Sequence, residues 1–203
     1  MPHVLPAFAE QAALMKIVES KQKLQIAYRS RRCNTITVQP STEFSWKLST
    51  TTAKPRYIIV GLQTGKLANQ QTNPSIFDHC DLKNMYVMLN EMKCPAIDYN
   101  LSFPNQQFSR AYKAAAEFTQ QFYGMHELIS QGNITPSDFK DLYPLMVFDV
   151  SHQSEQLKNS NIDVNVYATF NTAVPAGTQA YALTIGDSMI QASSDGISFT
   201  SLY

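Results

Sequence analysis

One ten-residue stretch, IDVNVYATFN (162–171), alternates without interruption: Ile162, Val164, Val166, Ala168 and Phe170 against Asp163, Asn165, Tyr167 and Thr169. Successive side chains of an extended chain point to opposite faces, so this run buries one face and wets the other. On a helix the same apolar residues would spread around the whole circumference. The segment is therefore predicted to be a half-buried strand, and many others share its texture. LQIAYRS (24–30) sets Leu24, Ile26 and Tyr28 against Gln25, Ala27 and Arg29, and NTITV (34–38) continues in the same style. EFSWKLST (43–50) aligns Phe44, Trp46 and Leu48. RYIIVGLQT (56–64) is apolar almost throughout, as expected for a strand covered on both faces. NMYVMLN (84–90) opposes Tyr86 and Met88 to Met85, Val87 and Leu89, and AIDYNLSF (96–103) reads as a weaker strand, with a hairpin turn at Met92–Pro95 between them. LMVFDVS (145–151), QAYALTIGD (179–187) and ISFTSLY (197–203) complete the set.

Three segments read as helices. PAFAEQAALMKIVES (6–20) places Phe8, Ala12, Met15 and Val18 at helical spacing after Pro6. NQQFSRAYKAAAEFTQQFY (105–123) is the strongest, with Phe108, Ala111, Tyr112, Ala115, Phe118 and Phe122 on one face and Gly124 as a stop. That face is expected to be core, closing one end of a sandwich. A short helix over 136–142 follows the N-cap residue Thr135, with Pro136 at its first position. Strands of five to ten residues between Gly-, Pro- and Asn-rich turns, with no regular strand–helix alternation, point to an all-β antiparallel sandwich rather than a parallel sheet. No repeat, low-complexity stretch or linker divides the chain, so its 203 residues read as one domain, 1–203, with a helical lead-in over 1–22 and the sandwich over 23–203.

Composition narrows the function. Charged residues are 16%, below the usual quarter, and the 16 basic residues balance the 16 acidic ones. A domain built on sequence-specific nucleic-acid binding carries a basic excess, and none is present. Arg29, Arg31 and Arg32 form the one dense basic run and read as a solvated strand end. Cys33, Cys80 and Cys94 are odd in number and widely spaced, which fits neither a disulfide framework nor a zinc site. No apolar run reaches 18 residues, and no charged-then-apolar leader opens the chain, so neither a membrane helix nor a signal peptide is expected. The sequons at Asn100 and Asn133 are read as chance.

Three clusters invite a chemical reading, and each has a plainer one. GLQTGK (61–66) is too short between its glycines for a phosphate loop and has Leu67 where Ser or Thr is required; a strand and turn explain it. FDHCD (77–81) gathers Asp78, His79, Cys80 and Asp81, but neighbours on an extended chain diverge, so a loop-to-strand junction is the better account. DVSH (149–152) holds Asp149, Ser151 and His152 without the sharp turn that presents a serine nucleophile. His3 and His126 have no evident partner, and no H-x-H pair suggests a cupin metal site. The sequence thus offers no catalytic, cofactor-binding or metal-ligating residue, and no enzyme activity is expected.

Several blocks taken together carry a family resemblance: LQIAYRS (24–30), KPRYIIVGLQTGK (54–66), FDHCDLKNMYVMLN (77–90), the helix ending FYG (122–124), SDFKDLYPLMVFDVSHQSEQLKNSNIDVNVYATF (137–170) and VPAGTQAYALTIGDSMI (174–190). In this order and spacing the chain resembles the double jelly-roll major capsid proteins of the Polinton/Maverick and adintovirus-like group. It is similar also to the double jelly-roll-like proteins encoded in animal genomes, insects included. The resemblance implies a jelly roll of two four-stranded antiparallel sheets and a structural role in an icosahedral viral or virus-derived shell. It implies self-association into trimers or larger assemblies, contacts with other capsid proteins, and a place in the virion after an intracellular stage. At 203 residues the chain holds one roll, similar to the C-terminal one of that family. A lectin-like or receptor-binding module, or a host-domesticated capsid derivative, is the alternative, and an exposed aromatic platform with polar neighbours would favour the binding module. Interface residues are not legible; the polar loops 65–76 and 152–160 are the expected surface contacts.

Overall fold

The computed structural model describes residues 7–20, 24–48, 55–66, 69–124, 134–152, 162–193 and 196–198. In chain order its elements are α1 (Phe8–Glu19), β1 (Leu24–Thr37), β2 (Glu43–Leu48), β3 (Pro55–Thr64), β4 (Leu82–Leu89), β5 (Met92–Cys94), α2 (Ser109–Tyr123), α3 (Pro136–Asp141), β6 (Met146–Asp149), β7 (Val164–Phe170), β8 (Thr178–Ser193) and β9 (Gly196–Ser198). One sheet runs β1-β8-β3-β6, with β9 added to β8; the other runs β2-β7-β4-β5. Every pairing is antiparallel. First pairs with eighth, second with seventh, third with sixth and fourth with fifth. That is one long hairpin, nested four deep, then rolled so that β3 also meets β8 and β4 also meets β7. It is the jelly roll of two four-stranded sheets, carried here by an antiparallel sandwich.

The alternation decides what fills the sandwich. Trp46 and Leu48 of β2, Ile58, Val60 and Leu62 of β3, Met85, Val87 and Leu89 of β4, and Val164, Val166, Ala168 and Phe170 of β7 are all buried in one cluster. Each fully buried Val, Leu, Ile, Phe or Met contributes about 1.5–3 kcal/mol relative to exposure. Small Ala180 and Ala182 on β8 lie opposite these larger residues and let the sheets close. β3 is covered on its other face too: Tyr57 is buried against Phe122, with Ile59 and Phe118 beside it.

That second covering comes from α2, which does more than close one end. Phe108 and Ala111 at its start belong to the main core, while Phe118 and Phe122 lie over the outer face of β3 and β8. The Tyr57 ring meets Phe118 edge-on at 5.2 Å and Phe122 at 5.9 Å. Gly124 ends the helix in the left-handed conformation (φ 66°), its amide donating to the Gln120 carbonyl. α3 is fixed at its start by a reciprocal cap: Thr135 Oγ1 accepts from the Asp138 amide, and the Asp138 carboxylate accepts from the Thr135 amide. Its one buried side chain, Phe139, packs with Phe103, Phe108 and Tyr112.

Several sequence expectations are corrected. Residues 24–30 and 34–38 are one strand, because Arg31–Asn34 contains no turn-forming pair and the register with β8 runs unbroken. The hairpin turn lies at Asn90 (φ 52°) and Glu91 rather than Met92–Pro95; Met92–Cys94 is itself β5. The expected strand 96–103 is a loop, held by the Tyr99 amide donating to Asn84 Oδ1 and by an isolated bridge from Ser102 to Gln107. The strongest helix begins at Ser109, not 105. The expected apolar face of α1 is open where it is described: Phe8 is 87% and Met15 57% exposed. Its apolar residues surround the helix, Ala9, Ala13 and Leu14 lying away from Phe8, Ala12 and Met15, so no single stripe forms. β8 runs on to Ser193, well past the expected end at 187, and with β1 makes a ribbon that carries exposed Ile26 and Tyr28. Most of the expected loop 152–160 and of the last strand lies outside the described residues, as do His3, His126 and Asn133.

Candidate functional site

The FDHCD segment forms a hub between the two sheets. The Phe77 amide donates to the Leu142 carbonyl behind α3, and the Asp78 amide to Leu62 of β3. The Asp78 carboxylate accepts from the Thr64 amide at 2.8 Å and pairs with Lys66 at 3.0 Å, where the lysine side chain is only 11% exposed. The chain then turns through two left-handed residues, Cys80 (φ 46°) and Asp81 (φ 49°), before the Leu82 amide returns to the His79 carbonyl. Left-handed backbone costs a non-glycine residue about 1–2 kcal/mol, so side-chain contacts must hold the turn. The Asp81 amide donates to His79 Nδ1 at 2.9 Å, and the imidazole stacks on Phe103 at 4.5 Å and 7°. The Cys80 thiol lies 3.6 Å from Thr64 Oγ1, which meets Thr178 Oγ1 at 2.8 Å.

A cleft of about 360 Å³ opens beside this hub, lined in part by Phe77, His79, Lys140 and Asp141. Burial pushes the His79 imidazole below its usual range, and burial pushes the Cys80 thiol up. A protonated thiol beside a neutral imidazole that is already an acceptor gives no thiolate–imidazolium pair. The chain at His79 and Cys80 is not the extended one expected from the sequence: Cys80 is left-handed, and both residues border the cleft. Among the described residues no three His, Cys, Asp or Glu side chains come together in a metal-binding group.

The other sequence candidates fall apart in space. Ser151 donates both its amide and its hydroxyl (2.6 Å) to Asp149 Oδ1, a local turn, while His152 is exposed. Gly61 lies inside β3 and Gly65 (φ 62°) turns after it, so GLQTGK is a strand and turn. Cys33, Cys80 and Cys94 are all free thiols. The arginines are not simply a solvated strand end: Arg29 and Arg31 lie over the Phe122 ring at 4.4 and 5.8 Å, and Arg29 also donates to the Phe122 carbonyl. They clamp the end of α2 to the sheet.

One surface feature escaped the sequence. On the outer face of the β2-β7-β4-β5 sheet, Tyr86 and Tyr167 are cross-strand partners and stack at 5.2 Å and 15°. Lys93 on β5 sets its ammonium 4.4 Å over the Tyr86 ring and pairs with Asp98 at 2.6 Å. The side chains of Glu43, Ser45 and Thr169 share this face and border a groove of about 400 Å³ with Tyr167. The signal was present as tyrosines at the polar positions of two strands, but only the pairing register brings them together.

The fold can now be set beside known proteins. A family model described as the double jelly roll-like domain matches residues 1–190. The chain belongs to the double jelly roll-like family. A chain in the cryo-EM structure of the Sputnik virophage is similar to this family member at 13% identity with a TM-score of 0.54, covering 89% of this chain and 39% of that one. The mavirus major capsid protein matches at 12% identity with a TM-score of 0.48, covering 88% of this chain and 42% of that one. This double jelly roll-like chain thus spans about two fifths of the solved chains it resembles. No curated protein sequence matches it. Among the described residues no helix is long and apolar enough to cross a membrane.

Proposed function

We propose that this chain is a structural, capsid-type protein, a self-associating jelly-roll subunit of a viral or virus-derived shell, and not an enzyme. The observation that carries this is the strand order: two sheets, β1-β8-β3-β6 and β2-β7-β4-β5, in a chain whose family model covers residues 1–190. The likeness to a chain of a virophage particle supports it at the level of fold. The reading takes residues 1–203 as one roll-bearing unit, places it in the virion, and gives it copies of itself and other capsid proteins as partners. Exposed Ile26, Tyr28 and Ile36 on β1 and Phe8, Leu14 and Met15 on α1 are apolar area of the kind that subunit contacts cover. Light scattering after size exclusion, backed by negative-stain imaging, tests it. Trimers, larger rings or closed particles are expected, and a monomer at every concentration refutes self-assembly by this chain alone.

The Tyr86–Tyr167 stack beside the polar groove favours a second reading, a jelly-roll module that binds a glycan or receptor. It predicts a ligand in a glycan-array screen whose binding is lost in Tyr167→Ala while the fold survives.

A further inference from the structure

The hub at residues 77–82 joins the ends of both sheets, and one interaction in it depends on a lone pair. The Asp81 backbone N–H is a donor whatever the pH, so His79 Nδ1 must accept at 2.9 Å and the imidazole must be neutral, its proton on Nε2. Adding a proton places N–H against N–H. We propose that His79 is an acid-sensitive latch: its protonation ejects the Asp81 amide, frees the left-handed Cys80–Asp81 turn and loosens the junction between β3 and β4. The proton comes from solvent through the adjoining cleft and goes to Nδ1; no other bond is made or broken.

The surroundings favour the neutral ring. The imidazole lies flat on Phe103, itself fully buried, so one face of the ring is closed to the water that would solvate a charge. Burial is the main force lowering its proton affinity, and Lys140 of α3 adds to it; Asp81 and Asp78 of the same loop and Asp141 of α3 pull the other way. The consequences of release are spelled out by the bonds around the turn. Asp81 accepts from the Asn171 amide after β7, and the His79 carbonyl accepts from Leu82 at the start of β4. Asp78, the residue before His79, is itself tied to β3: its amide donates to the Leu62 carbonyl and its carboxylate accepts from the Thr64 amide. The latch therefore sits where both sheets and α3 meet.

The sign follows from linkage. The folded state holds the group's proton affinity below its ordinary value of 6.5, so the unfolded chain binds the proton first as pH falls. The stabilisation is fully present above 6.5 and is lost as pH drops through the lower folded value. All other titratable groups are common to every variant compared, so a difference between variants reports His79.

The test uses the full chain and two substitutions. His79→Asn keeps an acceptor, Oδ1, at the position of Nδ1 but cannot take a proton near neutrality; His79→Phe keeps the stacked ring and has no acceptor. Hydrogen exchange of the Asp81 amide, followed by NMR and corrected for intrinsic rates, is read from about pH 7.5 to about pH 5.5, a window spanning the ordinary histidine value. The wild type is expected to lose up to about tenfold in Asp81 protection across this range, the most that one group of ordinary value 6.5 can give, and to fall in Tm. His79→Asn should hold both nearly constant. His79→Phe should show the unprotected Asp81 amide already at the higher pH, with no further change. Equal pH dependence in the wild type and His79→Asn overturns the proposal, as does an Asp81 amide in the wild type whose protection ignores pH. The wild-type measurement needs no variant to fold.

Discussion

Phe139 offers the sharpest test of how the helices are anchored to the sandwich. It is the single buried side chain of the six-residue α3 and is 0% exposed. Its ring centroid lies 5.8 Å from Phe108 and from Tyr112 and 6.5 Å from Phe103. Phe103 in turn supports His79 from the other side. Phe139→Ala removes a ring that four segments share: the 103 loop, the start of α2, α3 itself and, through Phe103, the hub. Large-to-small changes of this kind cost about 3–5 kcal/mol, because the neighbours collapse only partly into the space left. For a chain of this size each kcal/mol lowers Tm by about 2–4 °C, giving a drop of roughly 6–20 °C. The assay is urea unfolding followed by far-UV circular dichroism and by the fluorescence of Trp46, the single tryptophan, which is 8% exposed in the core. Phe139→Leu should lose less, since most of the volume stays. A loss below about 1 kcal/mol for Phe139→Ala, against the range normal for such sites, would show that α3 is not held through this ring.

Three further outcomes follow from single sites. A Cβ on Gly61 would lie 2.6 Å from Phe77 Cδ1 and 2.7 Å from Leu145 Cδ2, so Gly61→Ala should cost about 1–3 kcal/mol by overpacking, read as a lower urea midpoint at unchanged slope. Thr184 Oγ1 is buried without a hydrogen-bond partner among the described residues, so Thr184→Val should leave stability unchanged or raise it in the same assay. The Asp98 carboxylate accepts from Lys93 and from Asn84, bonds that hold it below the usual carboxylate range. Carboxyl NMR should find it titrating below other aspartates, its stabilising effect present above the ordinary value of 3.8 and lost as pH falls through the lowered one. Lys93→Met should bring that titration back toward normal.

What was legible in the sequence was periodic. The alternation in 162–171 is β7 over Val164–Phe170, with Val164, Val166, Ala168 and Phe170 inward as expected. The continuous apolar run at 56–64 is β3, covered on both faces as its composition implied. The helix stripe of Phe108, Ala111 and Phe122 is core, but that one stripe serves two surfaces could not be read from spacing. Short strands fail for a different reason. Met92–Cys94 is three residues long and owes its strand character to pairing with Val87–Leu89, a tertiary effect with no local period. The loop 96–103 alternates by accident; Asn84 and Arg110 supply the bonds that fix it as a loop. The hub and the tyrosine stack share that limitation, because His79 meets Phe103 and Tyr86 meets Tyr167 only once the sheets are in register.

The nesting of the hairpin sets the order in which the molecule can be made. β4 and β5 are joined by a tight turn, but Thr37 pairs with Gln179 and Leu24 with Ala192, separations of 142 and 168 residues. Contacts so far apart carry a heavy loop-closure cost and slow folding relative to helical proteins of equal size. During synthesis at ~5–20 residues per second, β1 must wait on the order of 10–30 s before β8 exists to pair with it. For that interval a fourteen-residue strand with Ile26, Tyr28 and Ile36 stands without its neighbour. Arg29, Arg31 and Arg32 lie in its middle, where like charges repel a second nascent copy. Arg29 and Arg31, which clamp α2 in the finished fold, thus also stand where charge opposes pairing between unfinished copies.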